Sequence, residues 1–435
     1  MNFTEIALLG IFIFLVLMFM RMPIGLAMAL AGFIGLSLIR GMPASLSNMA
    51  VVTFRNGTFY MMTVIPLFIF MGILASHGGI SNRAFNAINK WIGHLPGGLA
   101  MAVSGACAAF GAVCGDHIAT AGTMLQVALP EMRRHKYKDE LSLGCIACSG
   151  NLGFLIPPSA AFIIYGIVTQ ESIGSLFLAG ILPGILLMLC FWITIYIWVK
   201  LRPEVAPLAP RSSWGERLRS MSALWEIGIV FLVVMGGIYG GLFTPTEAAA
   251  CGTTIIVLIC LARRNLSWGN FKAAMIQTGE LTALIFLMII GAMIFSSFLT
   301  TTEVSIRLAE WIQASQIHPM FVLAVILIVY IILGFIMDIF AAILVTLPIF
   351  YPLMMALGFD SLWFGVQVVI MICIGSVTPP VGLLVFAVKG MARDVPLFTI
   401  FRGTIPFITA MIFCDIILIA FPQISLIIPY LIMPH

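Results

Sequence analysis

The sequence predicts an all-α polytopic membrane protein made of two inverted-topology repeats, each with a re-entrant helical hairpin and a broken helix. Three observations predict it: long uncharged apolar runs, unusual residues that recur at a fixed offset, and opposite charge bias in equivalent loops. Of the 435 residues, 62% are hydrophobic and 9% charged, whereas soluble domains carry roughly a quarter charged residues. Runs such as Ile6–Met20, Ile185–Val199, Leu281–Leu299 and Phe321–Met337 approach the roughly 20 apolar residues that a spanning helix needs. Roughly ten to twelve such segments can be drawn, some short or broken. They lack the alternation of a membrane barrel, so helices are predicted.

The net charge of +4 is spread among loops, a pattern of cytoplasmic basic loops and not of a nucleic-acid footprint. The first apolar run has Glu5 before it and no small-residue cleavage site, so it reads as a retained helix. Nine cysteines lie mostly inside apolar segments. Cys145 and Cys148 form a C-x-x-C, but no second pair follows at zinc spacing, and packing is the expected role.

Sliding the chain by 222 residues brings Pro23 onto Pro245, Asp116 onto Asp338, Pro130 onto Pro352, Gly153 onto Gly375, and Pro157-Pro158 onto Pro379-Pro380. These residue types set backbone breaks and polar sites, so their coincidence marks a repeat. The polar segments Ile80–Trp91 and Val304–Trp311 fit only loosely, and read as amphipathic helices at the membrane surface. The first repeat occupies 1–200 and the second 226–435. Between them, 201–225 forms a basic linker with Arg202, Arg211, Arg217, Arg219, Pro203, Pro207 and Pro210. The loop Arg133–Lys138 is basic, while its mate Pro352–Leu362 carries only Asp360. Opposite bias places the two loops on opposite sides, which inverts the repeats.

Irregular backbone at membrane depth is tolerated only where it is buried or lines a cavity. Four such segments occur: a hairpin at about 105–130 and a broken helix at about 141–165, then a hairpin at about 335–352 and a broken helix at about 363–390. Carbonyls freed at breaks coordinate small cations, and helix N-termini attract anions. Candidate cation ligands are Ser149, Gly150, Asn151, Gly153, Asp338, Gly375, Ser376 and Thr378. Candidate substrate contacts are Asp116, His117, Pro157, Pro158, Ser159, Thr378 and Pro379. The spacing does not distinguish Na+ from other small cations. Asp116 and Asp338 have two readings, a cavity charge or the cap of a half-helix. Glu247, in Thr244-Pro-Thr-Glu247, reads as part of a helix start. His77 and His94 read as loop residues.

The motifs Gly153-Phe-Leu-Ile-Pro-Pro-Ser159, Ile164-Tyr-Gly166, Leu176-Phe-Leu-Ala-Gly-Ile-Leu-Pro-Gly184, Met337-Asp338 and Thr378-Pro-Pro-Val-Gly382 resemble the large membrane (M) subunit of TRAP (tripartite ATP-independent periplasmic) transporters. Pro66-Leu-Phe-Ile-Phe70 and Leu95-Pro-Gly-Gly98 extend the likeness towards the N-terminus. The resemblance implies Na+-coupled uptake of an organic acid by an elevator motion of a transport domain against a scaffold, in the bacterial inner membrane. It implies a small membrane (Q) subunit and a periplasmic substrate-binding protein as partners, and no catalytic residues or cofactor. Two positions depart from the family. Its hydroxyl-rich first hairpin tip is replaced here by Cys114-Gly-Asp-His117, which raises H+ as a coupling ion, and Leu384 stands where Asn is usual. A stand-alone dicarboxylate–Na+ symporter of a related elevator superfamily is the alternative. An intramembrane aspartyl protease using Asp116 and Asp338 is a more distant one.

Overall fold

The computed structural model describes residues 3–207, 211–222 and 224–433. Pro210 and the other linker residues at 208–210 and 223 lie outside the described residues. Among the described residues there are helices and no strands. Among these residues, eight helices are long and apolar enough to cross a membrane, and the bent pair Asp139–Leu155 and Ala160–Thr169, at 41°, adds a ninth path.

The repeat holds element by element. Helices Gly98–Cys114, His117–Arg134 and Ala160–Thr169 recur as Pro319–Ile336, Ile339–Ala356 and Leu383–Met391, within one residue of the 222 offset at each start. The amphipathic pair that fits loosely in sequence obeys the same offset. Ile80–Ile92 and Val304–Ala314 end on equivalent residues, although Arg83 and Arg307 are not themselves mates. Symmetry breaks at one place. Met42–Gly57 and Val64–His77, joined by a short 3₁₀ turn, correspond to the single 35-residue helix Trp268–Thr302.

The hairpins are longer than their polar centres suggest. Their arms run Gly98–Cys114 with His117–Arg134, and Pro319–Ile336 with Ile339–Ala356. Arms of 17 or 18 residues reach about 26 Å at 1.5 Å per residue, so the hairpins extend beyond the bounds of about 105–130 and 335–352 expected from the sequence. Apolar residues continue past the Gly-rich centre, and only Gly97, at φ 72°, and Pro319 at a first helical turn start them.

One helix group comprises Phe3–Phe19, Ile24–Arg40, Val64–His77, Trp225–Tyr239, Pro245–Ala262 and Trp268–Thr302, which pack on one another. Small residues set the closest crossing: a Cβ on Gly291 would lie 2.0 Å from the Gly25 carbonyl oxygen, the close approach that glycine permits between membrane helices. Thr244 and Glu247 form the expected capping box, with Thr244 N donating to Glu247 Oε2 at 2.8 Å. The hairpins, the broken helices, and helices Ile173–Leu201 and Leu397–Ala420 form a second group.

Ion pairs identify the two ends of the bundle. At one end Arg83 and Arg263 clamp Glu226, whose side chain is 0% exposed, at 2.5 and 2.9 Å. Arg133 of the first hairpin bridges Asp139 at 2.9 Å and Asp394 at 2.6 Å at the same end. The linker helix Trp214–Met221 also lies here, with Trp91 Nε1 donating to Arg217 O at 3.1 Å. The opposite end carries Glu171, which accepts from Tyr351 Oη at 2.7 Å, and Asp360, which accepts from Tyr430. The basic end is the one that the positive-inside bias assigns, as an expectation, to the cytoplasmic side. The first hairpin opens there and the second opens at the other end.

Candidate functional site

Each broken helix stops because its chain runs into a proline pair that cannot continue the hydrogen-bond ladder. Both pairs, Pro157-Pro158 and Pro379-Pro380, are cis. At the first break Ser159 restarts the helix. Its Oγ donates to Phe154 O at 2.5 Å and accepts from Phe162 N at 3.4 Å. At the second, Thr378 Oγ1 donates to Ile374 O at 2.6 Å, and Gly382 in the left-handed region, at φ 60°, starts Leu383–Met391. A Cβ on Gly382 would lie 3.1 Å from a ring carbon of Phe401, 3.2 Å from Thr378 O and 3.4 Å from Ser376 O. Two carbonyl oxygens therefore lie close to the same glycine, beside an aromatic ring.

The two breaks are tied together through the repeat axis. Asn151 Nδ2 donates to the carbonyl of Cys373, its own repeat mate, at 3.1 Å. Ser376 Oγ lies 3.3 Å from Asn151 Oδ1 and donates to Cys373 O at 2.8 Å. Asn151, Ser376 and, through its backbone, Cys373 thus form one buried oxygen-rich group. Ser149 is not in it. It is fully buried and sits 3.6 Å from Cys145 Sγ.

The glycines fit the hairpins against the breaks. A Cβ on Gly153 would meet Asp116 O and Thr120 Oγ1, each at 2.8 Å, and one on Gly150 would meet Ala121 Cβ at 2.7 Å. The second repeat does the same with Gly375 against Ile331 O, at 2.4 Å, and Gly334. Ala160 N donates to Gly115 O at 3.1 Å, so the first hairpin tip is hydrogen-bonded to the first break.

Both aspartates cap the second arm of their hairpin. Asp116 Oδ1 accepts from Ala119 N at 2.6 Å, and Asp338 Oδ2 accepts from Phe340 N at 3.1 Å. Capping does not exhaust Asp116, because its residue also lines a cavity of about 70 Å³. Phe68, Ile73, Leu281 and Ile285 of the first helix group and Phe340 of the other hairpin complete that cavity. At about 30 Å³ per water it has room for an ion or a water or two, not for an organic acid. His117 is 2% exposed, lies with its ring centroid 4.3 Å from that of Phe154, and has its Nδ1 4.0 Å from Asp116 Oδ2. Pro157 and Pro158 are buried, whereas Pro379 and Pro380 are exposed. The breaks match in backbone but differ in access.

Sequence reasoning missed Cys373, Phe154 and Phe340. Cys373 was findable, since it is the residue 222 positions after Asn151. The two phenylalanines carry no polar or backbone signal that distinguishes them from ordinary packing residues.

Comparison with known proteins adds a family. Residues 11–424 match the model described as "Tripartite ATP-independent periplasmic transporter, DctM component". The chain is 35% identical over 389 residues to a C4-dicarboxylate TRAP transporter large permease of Pseudomonas aeruginosa, covering 89% of this chain and 90% of that one. It is also 35% identical over 414 residues to an ectoine/5-hydroxyectoine large permease of Ruegeria pomeroyi, covering 95% and 96%. A sialic acid large permease of Vibrio cholerae is 30% identical over 424 residues, covering 97% and 98%. Among solved structures, the Alcanivorax borkumensis YdaH transporter matches with a TM-score of 0.67 at 13% identity, over 88% of this chain and 90% of that one. That likeness concerns the fold alone.

Proposed function

The chain belongs to the DctM component family of tripartite ATP-independent periplasmic transporters, and on that premise we propose that it takes up a small organic acid coupled to Na+ in the bacterial inner membrane. The observation that carries the coupling is the convergence of Ser376 O and Thr378 O on Gly382, beside Ser376 Oγ and the Asn151 amide. Hard cations are held by neutral and carbonyl oxygens of this kind. The named substrates of the relatives are C4-dicarboxylates, ectoines and sialic acid, so a small organic solute, here an organic acid, is the reading for this chain. A periplasmic binding protein delivers it, and a small membrane subunit completes the scaffold.

Asp116 is the distinctive element. A carboxylate at a hairpin tip disfavours the approach of an anionic substrate, even one held outside the small Asp116 cavity. Uptake then requires Asp116 to be matched by a cation or a proton when substrate is present. The transport group, meaning the hairpins and broken helices, moves as a body against the first helix group, and the Asp116 cavity lies on that sliding boundary.

The test is thermal unfolding of the purified chain with Na+ exchanged for K+ at constant ionic strength. A ligand at 100 times its Kd stabilises the folded state by about 2.7 kcal/mol. Stabilisation by Na+ alone, lost in Gly382→Ala and Ser376→Ala, is the expected result. No Na+ effect, with a pH response that Asp116→Asn removes, overturns Na+ in favour of H+. Uptake by the chain without any binding protein would favour the stand-alone symporter.

A further inference from the structure

We propose that the groove between helices Ile173–Leu201 and Leu397–Ala420 is a binding site for one anionic phospholipid of the inner leaflet. This groove has a volume of about 790 Å³, far larger than the Asp116 cavity, and none of its lining residues belongs to the site described above. Its walls are apolar, with Ile193, Ile197, Ile405 and Phe413 each more than half exposed. Its one charged end holds Arg202, Arg402 and Glu140.

The length of the groove is fixed by helix register. Phe407 packs against both Phe191 and Trp198, with ring centroids 5.4 and 6.2 Å apart, which sets the two antiparallel helices side by side over this stretch. The lining runs from Cys190 to Arg202, twelve positions on, along one helix and from Arg402 to Phe413 along the other, so the two guanidinium groups arrive at the same end. Twelve helical residues span about 18 Å. Half of a hydrocarbon core of about 30 Å is about 15 Å. The groove is therefore one leaflet deep, with its cations at headgroup level, and that level is the cytoplasmic one shared with Arg133 and Glu140.

Charge selects the lipid class. Glu140 Oε1 lies 3.7 Å from Arg402 Nε, so the three charges leave one net positive, matched by one phosphodiester. Basic pockets between membrane helices on the cytoplasmic side bind anionic headgroups, while the apolar walls take an acyl chain. A soluble phosphate has no use for those walls, and a zwitterionic lipid leaves the extra cation unmatched.

The experiment is native mass spectrometry of the full chain, released from detergent after equilibration with phosphatidylglycerol or phosphatidylethanolamine. Phosphatidylglycerol is expected to be retained about tenfold more, the scale of roughly 1.4 kcal/mol. Arg202→Gln with Arg402→Gln should bring the two lipids to parity. Ile405→Trp, which fills the groove and keeps both arginines, should remove the phosphatidylglycerol adduct. Arg402 is 62% exposed, so its loss does not threaten folding. Equal retention of both lipids by the unaltered chain, or an unchanged preference in the double variant, would overturn the proposal. So would a cross-link from Ile197→Cys to a co-expressed small subunit, which would make the groove a subunit interface.

Discussion

Gly375→Ala tests whether the second hairpin and the second broken helix depend on backbone contact. The added methyl would sit 2.4 Å from Ile331 O, 2.8 Å from Gly334 Cα and 3.0 Å from Gly334 C. All three are backbone atoms, so no side chain can swing aside. Restoring ordinary contact means moving the arm Pro319–Ile336 away by about 1 Å. Overpacking of this kind costs about 1–3 kcal/mol, here near the top of that range. The better helix propensity of alanine returns up to about 1 kcal/mol. A net loss of about 2 kcal/mol follows. Gly279→Ala is the control, since Gly279 is in the helix Trp268–Thr302 and a methyl there meets nothing within 4 Å. It should be stabilising by about 0.5–1 kcal/mol. Both are read from unfolding midpoints of the purified chain in one detergent, with and without Na+. Gly375→Ala should also weaken any Na+ response, because Ser376 is the next residue. A Gly375→Ala protein as stable as the Gly279→Ala control would refute the close-packing argument.

Two further predictions concern the basic end of the bundle. Glu226 is fully buried between Arg83 and Arg263, whose side chains are 23% and 46% exposed. Glu226→Gln should cost about 3 kcal/mol, because it strands cations beside a buried neutral group. Arg263→Gln should cost under about 1 kcal/mol, and equal effects in unfolding assays would contradict the ranking. The Arg133 guanidinium hydrogen-bonds Asp394 and holds its carboxyl below the usual carboxylate range, with help from the aspartate's own backbone N–H. A lowered folded-state pKa gives stability that is present above the usual value of 3.8 and lost as pH falls through the folded value. Asp394→Asn should therefore be less stable than the parent by a constant margin between about pH 5 and 8, and the gap should close below about pH 4. A gap that persists at low pH would show that the contact does not act through ionisation.

The sequence exposed the repeat because proline, glycine and aspartate are scarce at membrane depth, so matches such as Asp116 with Asp338 stand out against a background of leucine and isoleucine. The same background hid the hairpin lengths. Nothing in Phe321–Ile336 marks it as a hairpin arm and not a plain span, since the distinction lies in what the far end packs against. The aspartates were left with two readings, and the geometry gives Asp116 both: a cap by Oδ1 and a place on a cavity. Glu226 was invisible for another reason. Its partners Arg83 and Arg263 lie on helices far apart in sequence, and a single Glu at the start of an apolar run resembles any first-turn acid. Asn151 could be singled out as an oxygen donor, but its partner is a backbone carbonyl, which no side-chain pattern reports.

That Asn151 hydrogen bond has a thermodynamic consequence. A residue that lies next to a pseudo-two-fold axis meets its own mate, and here the mates are chemically unlike: an amide on one side, a cysteine carbonyl on the other. The two halves share a backbone plan but differ in the groups they present at the axis. Any ligand that displaces one break does work against a bond anchored in the other, and reciprocity requires the converse to hold by the same free energy. Under the proposed function, binding at either break is thereby linked to the other through a single amide at the centre of the chain's own symmetry.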